Sequence, residues 1–148
     1  MNGPPDILVF FAAGDPEAAE ALGEQLRARR TRALDPAPGS AATRMAAALV
    51  AAETVIGDQQ PGAVVLCGSG PEVGAAALVA AKLGVPAARV SPAAQGASDD
   101  HAVLADLDGA IAERLCGLVV PGEDGAPRVA GAIRAWLATE TGPYTLSP

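Results

Sequence analysis

Basic residues, aromatic side chains and long apolar runs are all scarce in this chain of 148 residues. Lys82 is its single lysine, and Lys and Arg together number 10 against 17 Asp and Glu, a formal net charge of -7. A field of that sign opposes nucleic acid and anionic membrane as partners. No apolar run approaches bilayer length, and Met1 to Asp6 lacks the basic and apolar regions of a signal peptide. The sequence therefore reads as soluble and cytoplasmic. Cys67 and Cys116 are the only cysteines and His101 the only histidine, with no zinc-ligand spacing among them. Free thiols in a reducing compartment are expected, without disulfide framework, structural metal or cofactor. Aromatic residues make up 3% while hydrophobic residues make up 50%, mainly Ala, Val and Leu. A core of such small side chains calls for closely packed helices and sheet.

What is present alternates between strand-length apolar runs and amphipathic stretches. Ile7 to Ala12 is a continuous apolar run, followed by Gly14-Asp15-Pro16, which supplies a turn, an N-cap and a first-turn proline. The spacing of Ala18, Leu22 and Leu26 predicts a helix from Pro16 to about Arg30, with Arg27, Arg29 and Arg30 complementing its C-terminal dipole. Thr31 to Asp35 is a short strand and Pro36 to Ser40 a loop. Met45, Leu49, Ala52 and Ile56 recur at helical spacing, predicting a helix from Ala41 to Ile56 that Gly57 ends. Ala63 to Leu66 is a buried strand. The helix after it is closed by Gly84, and a fourth strand lies near Ala87 to Val90.

Ser91 to Ser98 is a loop placed to cover a site. Asp99-Asp100-His101 opens a helix whose expected inner stripe is Val103, Leu104, Leu107, Ile111 and Leu115. Cys116, at the end of that stripe, is a packing residue. Leu118 to Val120 is a fifth strand, Pro121 to Ala126 a loop, and Pro127 to Ala138 a last helix burying Val129, Ile133 and Trp136 or Leu137. Residues 139–148 form a polar tail. Five strands alternating with five helices predict one domain over residues 1–148: a Rossmann-like, doubly wound, five-stranded parallel sheet flanked by helices. Its crevice lies at the strands' C-terminal ends.

The chemistry concentrates at Cys67-Gly68-Ser69-Gly70-Pro71-Glu72, where the central strand turns into a helix. Ser69 and Glu72 have the spacing of a capping box, and Pro71 suits a first helical turn. Glycines at 68 and 70 let backbone approach a ligand, and the N–H groups of the first turn favour an anion or oxyanion beside Cys67. The same field favours thiolate, which makes Cys67 a candidate nucleophile or proton carrier.

Cys67-Gly-Ser-Gly resembles the ribose-5-phosphate isomerase B and galactose-6-phosphate isomerase family, in which a strand ends in Cys-Gly-Thr-Gly or a close variant. The resemblance follows the element order through most of the chain and is strongest from Met45 to Val90 and from Leu118 to Leu137. It implies a dimer with sites at the subunit interface, no metal, Cys67 as the base, and Gly68, Ser69 and Gly70 as the anion-holding loop, which the residues themselves carry on to Glu72. Asp15 corresponds to an aspartate after the family's first strand, and His101 to its ring-opening histidine. Arg44 and Asp124 fall near two further family pocket positions. The family's glycine after the motif is Glu72 here, and its late arginine falls near Asp124. These acidic replacements would repel a sugar phosphate.

The reading that follows is a cysteine-dependent isomerase acting on a less charged, small-molecule or acyl substrate, carrier-bound in one version. Cys67 either shuttles a proton next to a carbonyl or adds reversibly to a conjugated double bond and so works as a cis-trans isomerase. The alternatives are conventional aldose-ketose isomerisation of a sugar phosphate, or a non-catalytic subunit that keeps the fold.

Overall fold

The computed structural model describes residues 6–12, 16–28, 30–68, 70–91 and 100–140. Five parallel strands alternate with five α-helices: β1 (Ile7–Ala12), α1 (Pro16–Leu26), β2 (Arg30–Leu34), α2 (Ala41–Gln59), β3 (Ala63–Cys67), α3 (Pro71–Leu83), β4 (Ala87–Ser91), α4 (Asp100–Leu115), β5 (Leu118–Pro121) and α5 (Ala126–Glu140), with a 3-10 turn at Gly122–Asp124. The sheet order is β2-β1-β3-β4-β5. The Rossmann-like α/β architecture read from the sequence is therefore the observed one.

Alternation along the strands sorts the core into two layers. Leu8, Phe10, Val64 and Leu66 pack with Ala52 and Ile56 of α2, Val73 to Ala80 of α3, and Ala112 of α4. Ile7, Val9, Ala63 and Val65 pack with Leu22 and Leu26 of α1 and with Val129, Ile133 and Leu137 of α5. Val64, Val65 and Leu66 are fully buried, and burial of each such side chain stabilises by about 1.5–3 kcal/mol. α3 lies between α2 and α4 and is buried over nearly its whole length. Its Ala-Gly surface is what permits so close an approach.

Helix ends depart from expectation where glycine is not the terminator. α1 stops at Leu26, short of the arginines, because Arg27 adopts φ 53 and the N–H groups of Arg27 and Ala28 donate to Glu24 O and Gly23 O at 3.1 and 2.8 Å. This is the left-handed closing turn usually given to glycine. α2 runs through Gly57 to Gln59, and Gln60 takes the left-handed position at φ 46. Gly84 does close α3, as expected, at φ 73.

α4 turns a different face inward from the predicted stripe. Leu107 is 58% exposed and Leu115 36%, whereas Ala112 is wholly buried. Gly109 also lies inside. The space over β4 at Gly109 is taken by the side chain of Arg89, which stands 3.0 Å from where a Cβ there would sit. Val103 and Leu104 lie outside the described side chains.

Candidate functional site

The chain leaves β1 toward β2 on one side and returns to β3 on the other, so the C-terminal ends of β1 and β3 diverge. Ligands of open α/β sheets bind at such a reversal. Phe11 and Cys67 are register partners across it. Cys67 is half-buried and packs, with Phe11 and Val90, against the α1/α5 core layer. Gly68 and Gly70 follow with φ of 99 and 111, values that a residue with a Cβ rarely adopts.

Gly70, not Ser69, is the N-cap of α3, and it supplies no side-chain cap bond. The predicted capping box is therefore replaced by a different role for Glu72. Its carboxylate accepts from Arg44 Nε at 3.0 Å and from Arg44 Nη2 at 2.8 Å. Glu72 is 3% exposed. An ionised carboxylate at that depth requires such a charge-assisted, two-point partner. Glu72 is thus itself the anion at the helix start, where the sequence suggested a loop open to one.

Asp108 of α4 stands across from the same turn: its Oδ1 and its backbone carbonyl lie 3.9 and 3.7 Å from where a Cβ on Gly74 would sit. Burial pushes its carboxyl above the ordinary carboxylate range, Glu72 adds to the rise, and Arg44 opposes it. On the neighbouring strand Arg89, 4% exposed, donates from Nη1 to Glu113 at 2.7 Å and from Nη2 to Gly68 O at 3.4 Å. Its Nε is buried without a partner. Leaving such a donor unmade costs about 1–3 kcal/mol.

The candidates therefore separate. Cys67 faces the α1/α5 layer, while Arg44 and Glu72 join across α2 and α3 on the opposite face. Gly70 adjoins that pair, since a Cβ there would come within 3.3 Å of Glu72 Oε1 and 4.0 Å of Arg44 Nη2. Asp124 lies exposed in the turn after β5, two strands from β3. Asp15 and Ser69 lie outside the described residues, as does the predicted loop over 92–98, and so does the side chain of His101. Arg89, Glu113 and Asp108 went unnoticed in the sequence. The signal for Arg89 was a lone charge inside an otherwise apolar buried strand.

These features define a Rossmann-like α/β unit with a glycine turn at its strand reversal. No family model and no curated protein matches the sequence. Among solved structures the fold is similar to that of UDP-GlcNAc 2-epimerases. The enzyme from Methanocaldococcus jannaschii matches with TM-score 0.58 and 18% identity over 83% of this chain and 42% of its own. That from Neisseria meningitidis, bound to UDP-GlcNAc, matches with 0.63 and 12% over 86% and 43%. That from Rickettsia bellii matches with 0.61 and 12% over 97% and 52%. This chain spans about half the length of each.

The neighbours overturn the resemblance to the ribose-5-phosphate isomerase B family, and with it the isomerase reading built on that family. The physical reason is that Cys-Gly-Ser-Gly records a strand-to-helix turn that many sheets of this class need, and four residues do not separate one family from another. Glu72 makes the point. It is clamped by Arg44 in the place given to an anion-holding loop. Among the described residues no helix is long and apolar enough to cross a membrane, and no group of His, Cys, Asp and Glu is arranged to hold a metal ion.

Proposed function

We propose that this chain is a nucleotide-sugar-binding half-unit of epimerase-like architecture, whose strand ends form the wall of a crevice that a second α/β unit completes. The reading rests on the glycine turn at the β1/β3 reversal, where Gly68 and Gly70 carry no side chain. It is supported by solved neighbours that hold UDP-GlcNAc and in which a unit like this one accounts for about half of the chain. Charge decides which part of such a ligand this wall takes. Arg44 and Arg89, which border the turn, are each committed to a carboxylate, and the chain carries a formal net charge of -7. A diphosphate gains little here, so this wall takes the sugar and the opposing unit the diphosphate.

Nuclear magnetic resonance titration tests the reading. UDP-GlcNAc is expected to shift the amide signals of Cys67 to Gly70 and of Glu72 and Val73 saturably, and UDP alone to leave them unmoved. Equal shifts with UDP, or none with UDP-GlcNAc, would remove it.

A further inference from the structure

We propose that Arg89 is a positioning residue, which holds the Gly68 peptide, and through it the Cys67 to Gly70 turn, in register with α4. Only the purpose of that turn rests on the function proposed above. Four observations meet at this side chain. It leaves the middle of β4, where Leu66 is its register partner, and is 4% exposed. Its Nη2 donates to the Gly68 carbonyl at 3.4 Å, and Gly68 is the first residue beyond β3 with φ of 99. Its Nη1 donates to Glu113 at 2.7 Å. Its guanidinium fills the space of the side chain missing at Gly109, with Nη2 3.0 Å from the place of a Cβ there.

A purely structural role accounts poorly for this arrangement. Burying a guanidinium while leaving its Nε unmade is costlier than burying an apolar chain of equal length. What an apolar chain would lack is the reach to two acceptors at once, one on the turn and one on α4. Glu113 is 48% exposed at its side chain, so it regains water when the arginine is removed. Arg89→Met therefore strips the tether without stranding a buried charge.

The test reads the turn without ligand, so its outcome is independent of what the site binds. In Arg89→Met, the amides of Val73 and Gly74, which close the first turn of α3 on Gly70 O at 3.1 and 3.4 Å, are expected to exchange about fivefold faster, the scale of one hydrogen bond. Alkylation of Cys67 by iodoacetamide, followed at peptide resolution to keep Cys116 separate, is expected to change by a similar factor. The amides of Val64 and Val65 keep their wild-type rates. Glu113→Gln, which retains an acceptor for Nη1, keeps wild-type behaviour at the turn. Unchanged exchange at Val73 and Gly74, or a uniform rise over the whole sheet, would overturn the proposal. Should Arg89→Met fail to fold, Glu113→Ala releases the α4 end of the tether alone: faster exchange confined to the turn supports the role, and none refutes it.

Discussion

Arg44 and Glu72, 28 positions apart in sequence, meet side-on, Nε to Oε2 at 3.0 Å and Nη2 to Oε1 at 2.8 Å, and so bolt α2 to the first turn of α3. The two partners are unequal. Glu72 is 4% exposed at its side chain and Arg44 34%, so losing the arginine strands a buried charge while losing the glutamate leaves a cation that water can reach. Arg44→Ala is expected to lower stability by about 2–4 kcal/mol and Glu72→Ala by less. The double variant should recover part of the Arg44→Ala loss. Urea unfolding of the three variants measures this, and an equal loss in both single variants would contradict the asymmetry.

The same cluster carries a pH dependence. The Asp108 carboxyl is raised above 3.8 in the fold, chiefly by burial and then by Glu72, so between 3.8 and its raised value the folded state binds more protons than the unfolded one. Stability from this group therefore falls as pH rises through that window, and the loss persists above it. Asp108→Asn, which imitates the protonated form, is expected to be more stable than wild type at pH 7 and to show no advantage below pH 3.8. Thermal midpoints across pH 3–8 for the pair check the sign.

How far the sequence carried differs by element. The strands were legible because Ile7 to Ala12 and Ala63 to Leu66 are apolar without interruption, which buried parallel strands require. The end of α1 was not, because Arg27 takes a backbone conformation that no sequence rule assigns to arginine. The inner face of α4 was misread because large apolar side chains were taken to mark burial, whereas the residues α4 turns inward are Gly109, against Arg89, and Ala112. At the site, Cys67, Gly68 and Gly70 were legible from the turn they build. The partner of Glu72 was not, since packing α2 on α3 joins positions that no local spacing relates.

The observed phase of α4 is open to direct measurement. Leu107 is 58% exposed, so Leu107→Ser should shift stability by no more than about 0.5 kcal/mol. Gly109→Ala puts a Cβ within 3.0 Å of Arg89 Nη2 and 3.4 Å of Cζ. Its gain in helix propensity of about 0.5–1 kcal/mol is outweighed by overpacking of about 1–3 kcal/mol. Chemical denaturation should therefore rank Gly109→Ala below Leu107→Ser, and the reverse order would restore the leucine stripe as the buried face.

Cys116 supplies a test that needs no substitution. Its thiol is pushed from 9.0 up to about 11, first by burial against the α2/α3/α4 core layer, with Arg89 pulling the other way and Glu113 adding to the rise. A rise from 9.0 to about 11 lowers the thiolate fraction near neutral pH by about 100-fold, because each unit is a factor of ten. Only the thiolate attacks an alkylating agent. Iodoacetamide at pH 8 should therefore label Cys116 about 100-fold more slowly than an unstructured cysteine peptide, and its rate should keep climbing tenfold per pH unit up to pH 10. In Arg89→Met the opposing cation is gone, so Cys116 should become slower still. Peptide-resolved mass spectrometry reads both rates in one experiment. A Cys116 rate that levels off near pH 9 would mean that the thiol is not enclosed by α4 and the sheet as described.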